Sequence, residues 1–69
     1  MKLQLINTLG TVTDSITAEY IEEIVEWAVE SYHETYSFRW SDANYKVWEV
    51  SCMDFYPQDI TYETFKHIV

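Results

Sequence analysis

The chain has 69 residues, which is enough for one domain, and we predict a single domain over residues 1–69. Its formal net charge is −8, from 12 acidic and four basic residues. That balance excludes direct binding of nucleic acid and disfavours anionic membrane surfaces, since both need clustered positive charge. Basic protein surfaces are the expected partners.

The hydrophobic content is high for so small a chain. A domain of this size buries only about 60% of its unfolded surface. However, 48% of the residues are hydrophobic and 17% are aromatic, and large rings bury much area per residue. We therefore expect a folded domain and not a disordered chain.

Cysteine content and hydropathy indicate the compartment. Cys52 is the one cysteine, so we expect neither an intrachain disulfide nor a thiolate metal cluster. No apolar run approaches the roughly 20 residues of a membrane span. The first ten residues, MKLQLINTLG, are too polar for a signal peptide. These features predict a cytoplasmic protein.

The first predicted element is a strand over Lys2–Thr8, in which Leu3 and Leu5 share one side. Gly10 permits a turn after it. Thr11–Thr13 is β-prone but short, and we interpret it as a continuation of the strand after a bend. Asp14 and Ser15 then lead into a helix.

Thr17–Tyr36 has the clearest period in the chain and is predicted to be one amphipathic helix. Thr17 is the expected N-cap, and Ile16 and Ile21 are placed as a hydrophobic staple. The apolar side holds Ile21, Ile24, Val25, Ala28, Val29 and Tyr32.

The opposite side of this helix is acidic. It carries Glu19, Glu22, Glu23, Glu26, Glu30 and Glu34 and no Lys or Arg. Like charges at i, i+4 are mildly destabilising, whereas a solvated helix usually mixes Glu with Lys. Two interpretations stay open: Glu is a good helix former on a solvated face, or a field of one sign is needed to meet a basic partner.

Tyr20 and Trp27 flank the acidic side. They cover either a sheet edge or the C-terminal segment, or else they are partly exposed anchors for a partner, as Tyr and Trp often are. His33 lies among the glutamates and is interpreted as a solvated histidine.

Two more strands follow. Tyr36–Ser41 alternates rings with polar residues, and Tyr45–Met53 is the next strand. Asp42-Ala43-Asn44 is predicted to be a three-residue hairpin loop. This loop would place Trp40 opposite Lys46, Phe38 opposite Trp48, and Tyr36 opposite Val50. Tyr45 and Val47 would form a small exposed pair.

The C-terminal part contains a loop and a short helix. Pro57 ends the strand pattern, so Asp54–Asp59 is expected to be a loop. Thr61–Ile68 repeats the staple and early-Glu pattern of the main helix, and a helix is predicted there, with a fourth strand as the alternative.

The predicted fold is α+β with the order β-α-β-β-α: a mainly antiparallel three-stranded sheet packed by one long helix, plus a short C-terminal helix. The first two strands could also be parallel neighbours, because a helix connects them. The predicted core is Leu3, Leu5, Ile21, Ile24, Val25, Ala28, Val29, Tyr32, Phe38, Trp40, Trp48, Val50 and Phe65.

Recognisable chemistry is missing from the sequence. One Gly cannot build a phosphate loop, and the acids do not follow the calcium-loop pattern. His33 and His67 lack partners at metal spacing. A Cys52/His67/Asp nucleophile set lacks a local signature, and Cys52 is better interpreted as a small buried residue. We predict no enzymatic activity, no cofactor and no metal site.

In size, acidity and lack of catalytic motifs, the whole chain is similar to small phage-encoded inhibitors, including DNA-mimic, anti-CRISPR and anti-restriction proteins. This resemblance implies an inhibitor that acts in the cytoplasm of a host cell. It rests on overall character, so no residue roles are carried over from it.

Two main functions are weighed. In the first, the acidic helix side, with Tyr20 and Trp27, occupies the basic groove of a nucleic-acid-binding protein, since carboxylates at i, i+4 are about 5–6 Å apart. In the second, the chain is a structural or regulatory adaptor, with a homodimer as one form, that binds through exposed aromatics. Weak binding of a divalent cation by the acidic stripe is a third possibility.

Overall fold

The computed structural model describes the backbone of residues 1–41 and 47–68, and the side chains of those up to residue 65. Within these residues the chain has four strands, β1 (Lys2–Ile6), β2 (Val12–Thr17), β3 (Ser37–Ser41) and β4 (Val47–Ser51). Two α-helices, α1 (Ile21–Ser31) and α2 (Tyr62–Ile68), lie between β2 and β3 and at the C-terminal end. Two short 3-10 turns, Cys52–Asp54 and Pro57–Asp59, connect β4 to α2.

The strands form one antiparallel sheet with the order β2-β1-β3-β4. The α+β class is confirmed, and so are the first strand and the C-terminal helix. The sheet has four strands and not three, because Val12–Thr17 folds back on β1 as a hairpin. β1 and β3 are antiparallel, so the parallel alternative is wrong. Tyr62–Ile68 forms α2, so the alternative of a fourth strand in this segment is wrong.

Asn7 and Gly10 explain the hairpin. The Asn7 side-chain oxygen accepts hydrogen bonds from the N–H groups of Leu9 and Thr11, each at 2.9 Å. Gly10 has a φ of +80°, a conformation that glycine adopts without strain. Asn at the first turn position and Gly at the fourth is a recognised turn pattern. It reverses the chain here where a bend had been expected.

The hairpin contains a β-bulge. Leu5 pairs with Asp14 and Ile6 with Val12, which leaves Thr13 as the extra residue. The Thr13 hydroxyl donates to the Leu5 carbonyl oxygen at 3.3 Å.

The main helix is shorter than predicted, and the proposed cap is wrong. Thr17 pairs with Lys2 in the sheet, and the Ala18 N–H donates to the Met1 carbonyl at 3.1 Å. These ladder bonds hold the chain extended, so α1 begins only after Tyr20, whose side chain makes no capping bond. The pairing of Ile16 with Leu3 in the sheet replaces the predicted staple. At the other end Tyr32 has a ψ of 136°, which ends the helix.

The register of β3 with β4 also differs from the prediction. Trp40 pairs with Trp48 and Phe38 with Val50, a slip of two residues. A slip of two keeps every side chain on its predicted face. The predicted hairpin loop, together with Tyr45 and Lys46, lies outside the described residues. Val47 is exposed.

The core lies between one face of the sheet and the two helices. Side chains from β1, β3, α1 and α2 meet there with two from the connecting segments: Leu3, Leu5, Phe38, Trp40, Ile24, Ala28, Phe65, Cys52 and Ile60. Both helices therefore cover the same face. Val29 was predicted to be in this core and is exposed, since it lies at the edge of the apolar arc of α1. Ile6 and Ile60 are buried although neither was predicted.

Most of the described side chains on the second face of the sheet are polar, although Ile6 and Val47 also lie there. Arg39 and Glu49 pair across β3 and β4, and their side chains form an ion pair at 3.2 Å. Lys2 and Gln4 of β1 share that face. None of the helices in the described part of the chain has the length and apolar character needed to cross a membrane.

Candidate functional site

The candidate site is the acidic surface, which we define as Glu19, Glu22, Glu23, Glu26, Glu30 and Glu34. All six side chains are exposed. Four of them, Glu22, Glu23, Glu26 and Glu30, belong to α1. Glu19 precedes the helix and Glu34 follows it, so the expectation of six acids on one helix face is wrong in this respect.

The four glutamates of α1 point away from the sheet. At about 100° per residue they span an arc of roughly 100°. Ile24 and Ala28 lie on the opposite side of the helix and are buried against the sheet. Hydrophobic packing of the apolar side thus fixes the direction in which the carboxylates face.

No described contact neutralises these carboxylates. Within residues 1–41 and 47–65, none of the six takes part in an ion pair or a side-chain hydrogen bond, whereas Glu49 is paired with Arg39. The last turn of α1 contains no basic residue. Two like-charged pairs at i, i+4 remain inside the helix, Glu22 with Glu26 and Glu26 with Glu30.

The two flanking aromatics have different environments. Tyr20 is 62% exposed at the N-terminal end of α1. Trp27 is partly buried against the core, with its ring centroid 6.4 Å from that of Phe38. Of the two, Tyr20 presents the larger free surface next to the acids.

His33 is held by its neighbours in sequence. Its Nδ1 lies 2.8 Å from the Thr35 hydroxyl, and its ring lies 4.5 Å from that of Tyr36. Among the described residues no three His, Cys, Asp or Glu side chains are grouped as metal ligands.

Cys52 is fully buried in the core. Burial raises the pKa of its thiol from 9.0 to about 11, and a backbone hydrogen bond from His33 opposes that rise. A thiol with this pKa is protonated near neutral pH and is a poor nucleophile. The packing of Cys52 therefore fits a structural role.

One group of surface residues was not recognised as a site from the sequence. Met53, expected at the end of a strand, lies in the first 3-10 turn. It borders a cavity together with Phe55 and Tyr56, which were expected to lie in a loop, and with residues that follow α1. No sequence pattern relates the two segments, which are about 20 residues apart and meet only through the tertiary fold. Comparisons of the chain with protein families, with curated proteins and with solved structures found no match.

Proposed function

We propose that this protein is a small inhibitor that uses its acidic surface to occupy the basic nucleic-acid-binding groove of another protein. The observation that carries the proposal is the exposed row of glutamates on the outer side of α1, unpaired among the described residues. Like charges at this spacing cost stability. A field of one sign that is kept at such a cost is suited to steering a basic partner.

Rigidity supports the same proposal. Ile24 and Ala28 anchor α1 to the sheet, so the carboxylates are displayed from a fixed element. Fixed charges lose less conformational entropy on binding than charges on a loop. The Cβ atoms of residues at i, i+4 lie about 5–6 Å apart on a helix, which is not far from the spacing of phosphates along a nucleic-acid strand.

The exposure of the described acidic side chains favours a binding function over a catalytic one. A carboxylate that works as an acid or base near neutral pH needs burial to shift its pKa. Every acidic side chain that the structure describes is exposed. We therefore propose a binding protein and not an enzyme that uses these carboxylates.

The test is capture followed by competition. The immobilised protein is incubated with a lysate of its source cells or, if it is phage-encoded, of the host, and bound proteins are eluted with short duplex DNA. We expect DNA to release a basic nucleic-acid-binding protein, because both ligands compete for one groove. Release by salt alone, with no effect of DNA, would contradict the proposal.

A matched pair of variants localises the interaction. Glu23→Gln/Glu26→Gln/Glu30→Gln removes three charges from α1, and Asp14→Asn/Asp54→Asn/Asp59→Asn removes three from elsewhere. We expect the first variant to lose affinity and to show a smaller salt slope, and the second to bind nearly as well as the unchanged protein. If both variants lost affinity equally, net charge and not the acidic surface would determine binding.

The alternative is a homodimeric adaptor that binds through aromatics, which the exposed ring of Tyr20 favours. Sedimentation distinguishes the two functions. A stable dimer that is insensitive to salt and dissociates on Tyr20→Ala would support the adaptor.

A further inference from the structure

A cavity of about 310 Å³ lies beside the C-terminal end of α1. We call it the Tyr32 pocket. Its walls come from the residues that end the helix and from the first 3-10 turn and the segment after it: Tyr32, Glu34, Thr35, Met53, Phe55 and Tyr56. Its volume is at the lower end of the range for ligand sites, so it suits a single side chain or a small molecule.

The inner wall of the pocket is anchored to the core. The Tyr32 hydroxyl lies 2.9 Å from the Cys52 carbonyl oxygen and 2.8 Å from that of Phe55, and it donates its one proton to them. The rings of Tyr32 and Phe55 are 6.0 Å apart, and Phe55 stacks on the buried Phe38 at 6.3 Å. This wall is therefore formed before any ligand arrives.

The outer wall is apolar and open to solvent. Met53 is 77% exposed and Tyr56 is 68% exposed. Large apolar side chains left this open next to a preformed cavity are typical of binding sites.

The electrostatic field in the pocket is negative. Tyr32 is the C-cap of α1, and the end of a helix carries about half a negative charge, which no basic residue in the last turn offsets. Glu34, an acidic residue, lines the same pocket. Burial raises the pKa of Tyr32, and the negative charge of Glu34 raises it further.

The aromatic walls and negative groups of the pocket indicate which type of ligand it binds. An anion would be repelled, and a neutral apolar group would leave Glu34 and the helix end uncompensated. Aromatic walls and a carboxylate together favour a cation. A guanidinium group satisfies both, since it is flat enough to stack on a ring and can bond a carboxylate with two N–H groups.

We propose that the Tyr32 pocket receives an arginine side chain of the protein partner. This inference rests on the function proposed above, because that function requires a basic partner. The arginine contact adds a short-range anchor to the long-range attraction of the acidic surface. Glu34 belongs to both the pocket and the acidic surface, so the pocket continues that surface beyond the end of α1.

The test uses N-acetyl-arginine N-methylamide as the probe and NMR titration of the whole protein as the readout. We expect shifts concentrated at Tyr32, Glu34, Thr35, Phe55 and Tyr56. The citrulline analogue has nearly the same shape and no charge, and it should bind several-fold more weakly. If citrulline binds equally well, or if the shifts are spread over the glutamates of α1, the proposal is wrong. A lysine analogue that binds as tightly would overturn the choice of arginine.

Variants complete the test. Glu34→Gln and Tyr56→Ala should each weaken binding of the arginine probe by about two- to fivefold, the effect expected for one exposed ion pair or cation–π contact. Asp14→Asn makes a comparable change at an exposed residue of β2 that neither lines the pocket nor belongs to the acidic surface. It is the matched control and should leave binding unchanged. Failure of the probe to bind would remove the pocket proposal alone, because the acidic surface is tested separately by its α1 variant and DNA competition.

Discussion

Cys52 shows how a single buried residue links packing to pH dependence. Its thiol is neutral in the fold, with a pKa raised by burial to about 11 from 9.0. A group whose pKa is higher in the folded state stabilises the fold at low pH. That contribution is complete below pH 9 and is lost as pH rises toward 11.

We therefore expect the free energy of unfolding to fall by about 2 kcal/mol between pH 8 and pH 10.5 from this group alone. The pKa of Tyr32 is also raised, which adds to the fall in the same direction. Urea unfolding across that range measures the total. The Cys52→Ala protein has no thiol to titrate, so its stability should decline less steeply; identical slopes would contradict the assignment.

Tyr32 joins the end of α1 to the first 3-10 turn through one hydroxyl group. Tyr32→Phe should lower the free energy of unfolding by about 1–2 kcal/mol, because the Cys52 and Phe55 carbonyls lose their described side-chain donor. Denaturant unfolding gives the value. Tyr20→Phe makes the same chemical change at an exposed ring and should be nearly neutral.

At the scale of elements, α1 combines two conflicting demands. Its apolar side packs on the sheet, while Glu22, Glu26 and Glu30 repel one another along its outer side. Function and stability therefore oppose each other on this helix, if the acidic surface binds a partner as proposed.

The variant Glu26→Lys distinguishes the effect of these charges on stability from their effect on binding. It replaces two like-charged neighbours with two opposite ones, so the isolated protein should become more stable by about 1 kcal/mol. Thermal unfolding at low salt measures this gain, which added salt should reduce. In the capture experiment the same variant should bind less of the basic partner. A variant that is more stable and still binds fully would show that Glu26 lies outside the interface.

The β1–β2 hairpin shows why one element was missed. In VTDSIT only Ile16 is partly buried, because β2 is an edge strand and most of its side chains face solvent. An alternating pattern arises only where one face of a strand is buried. The sequence does contain a signal for the turn, which is Asn7 followed three residues later by Gly10. Pairing with β1 then determines that residues 12–17 are extended.

At the scale of the whole molecule, net charge is the dominant feature. A charge of −8 on a domain with a radius of gyration of 10.7 Å produces appreciable self-repulsion. The described cations do little to reduce it near α1, since Arg39 is paired with Glu49 on the other face of the sheet.

Stability should therefore rise with salt. Between about 0.02 M and 0.3 M sodium chloride we expect a gain of roughly 0.5–1 kcal/mol as repulsion is screened. The Glu23→Gln/Glu26→Gln/Glu30→Gln variant should show a smaller gain. The matched Asn variant separates a local effect of α1 from net charge: if both variants lose the same amount, repulsion is spread over the whole surface.

The sequence by itself determined the amphipathic character of the main helix and the core faces of β1, β3 and β4. These follow from local periodicity, which persists whatever the chain packs against. The acidic side of α1 was evident for the same reason, since burial of Ile24 and Ala28 forces the glutamates outward.

Only the tertiary structure decided where that helix begins, how many strands the sheet has, and which segments border the Tyr32 pocket. Thr17 has a good capping side chain, yet its backbone pairs with Lys2 in the sheet. Helix propensity is worth tenths of a kcal/mol per residue, less than the pairing of a strand with its neighbour. Contacts between distant segments, such as Tyr32 with Phe55, have no local pattern, because packing alone brings them together.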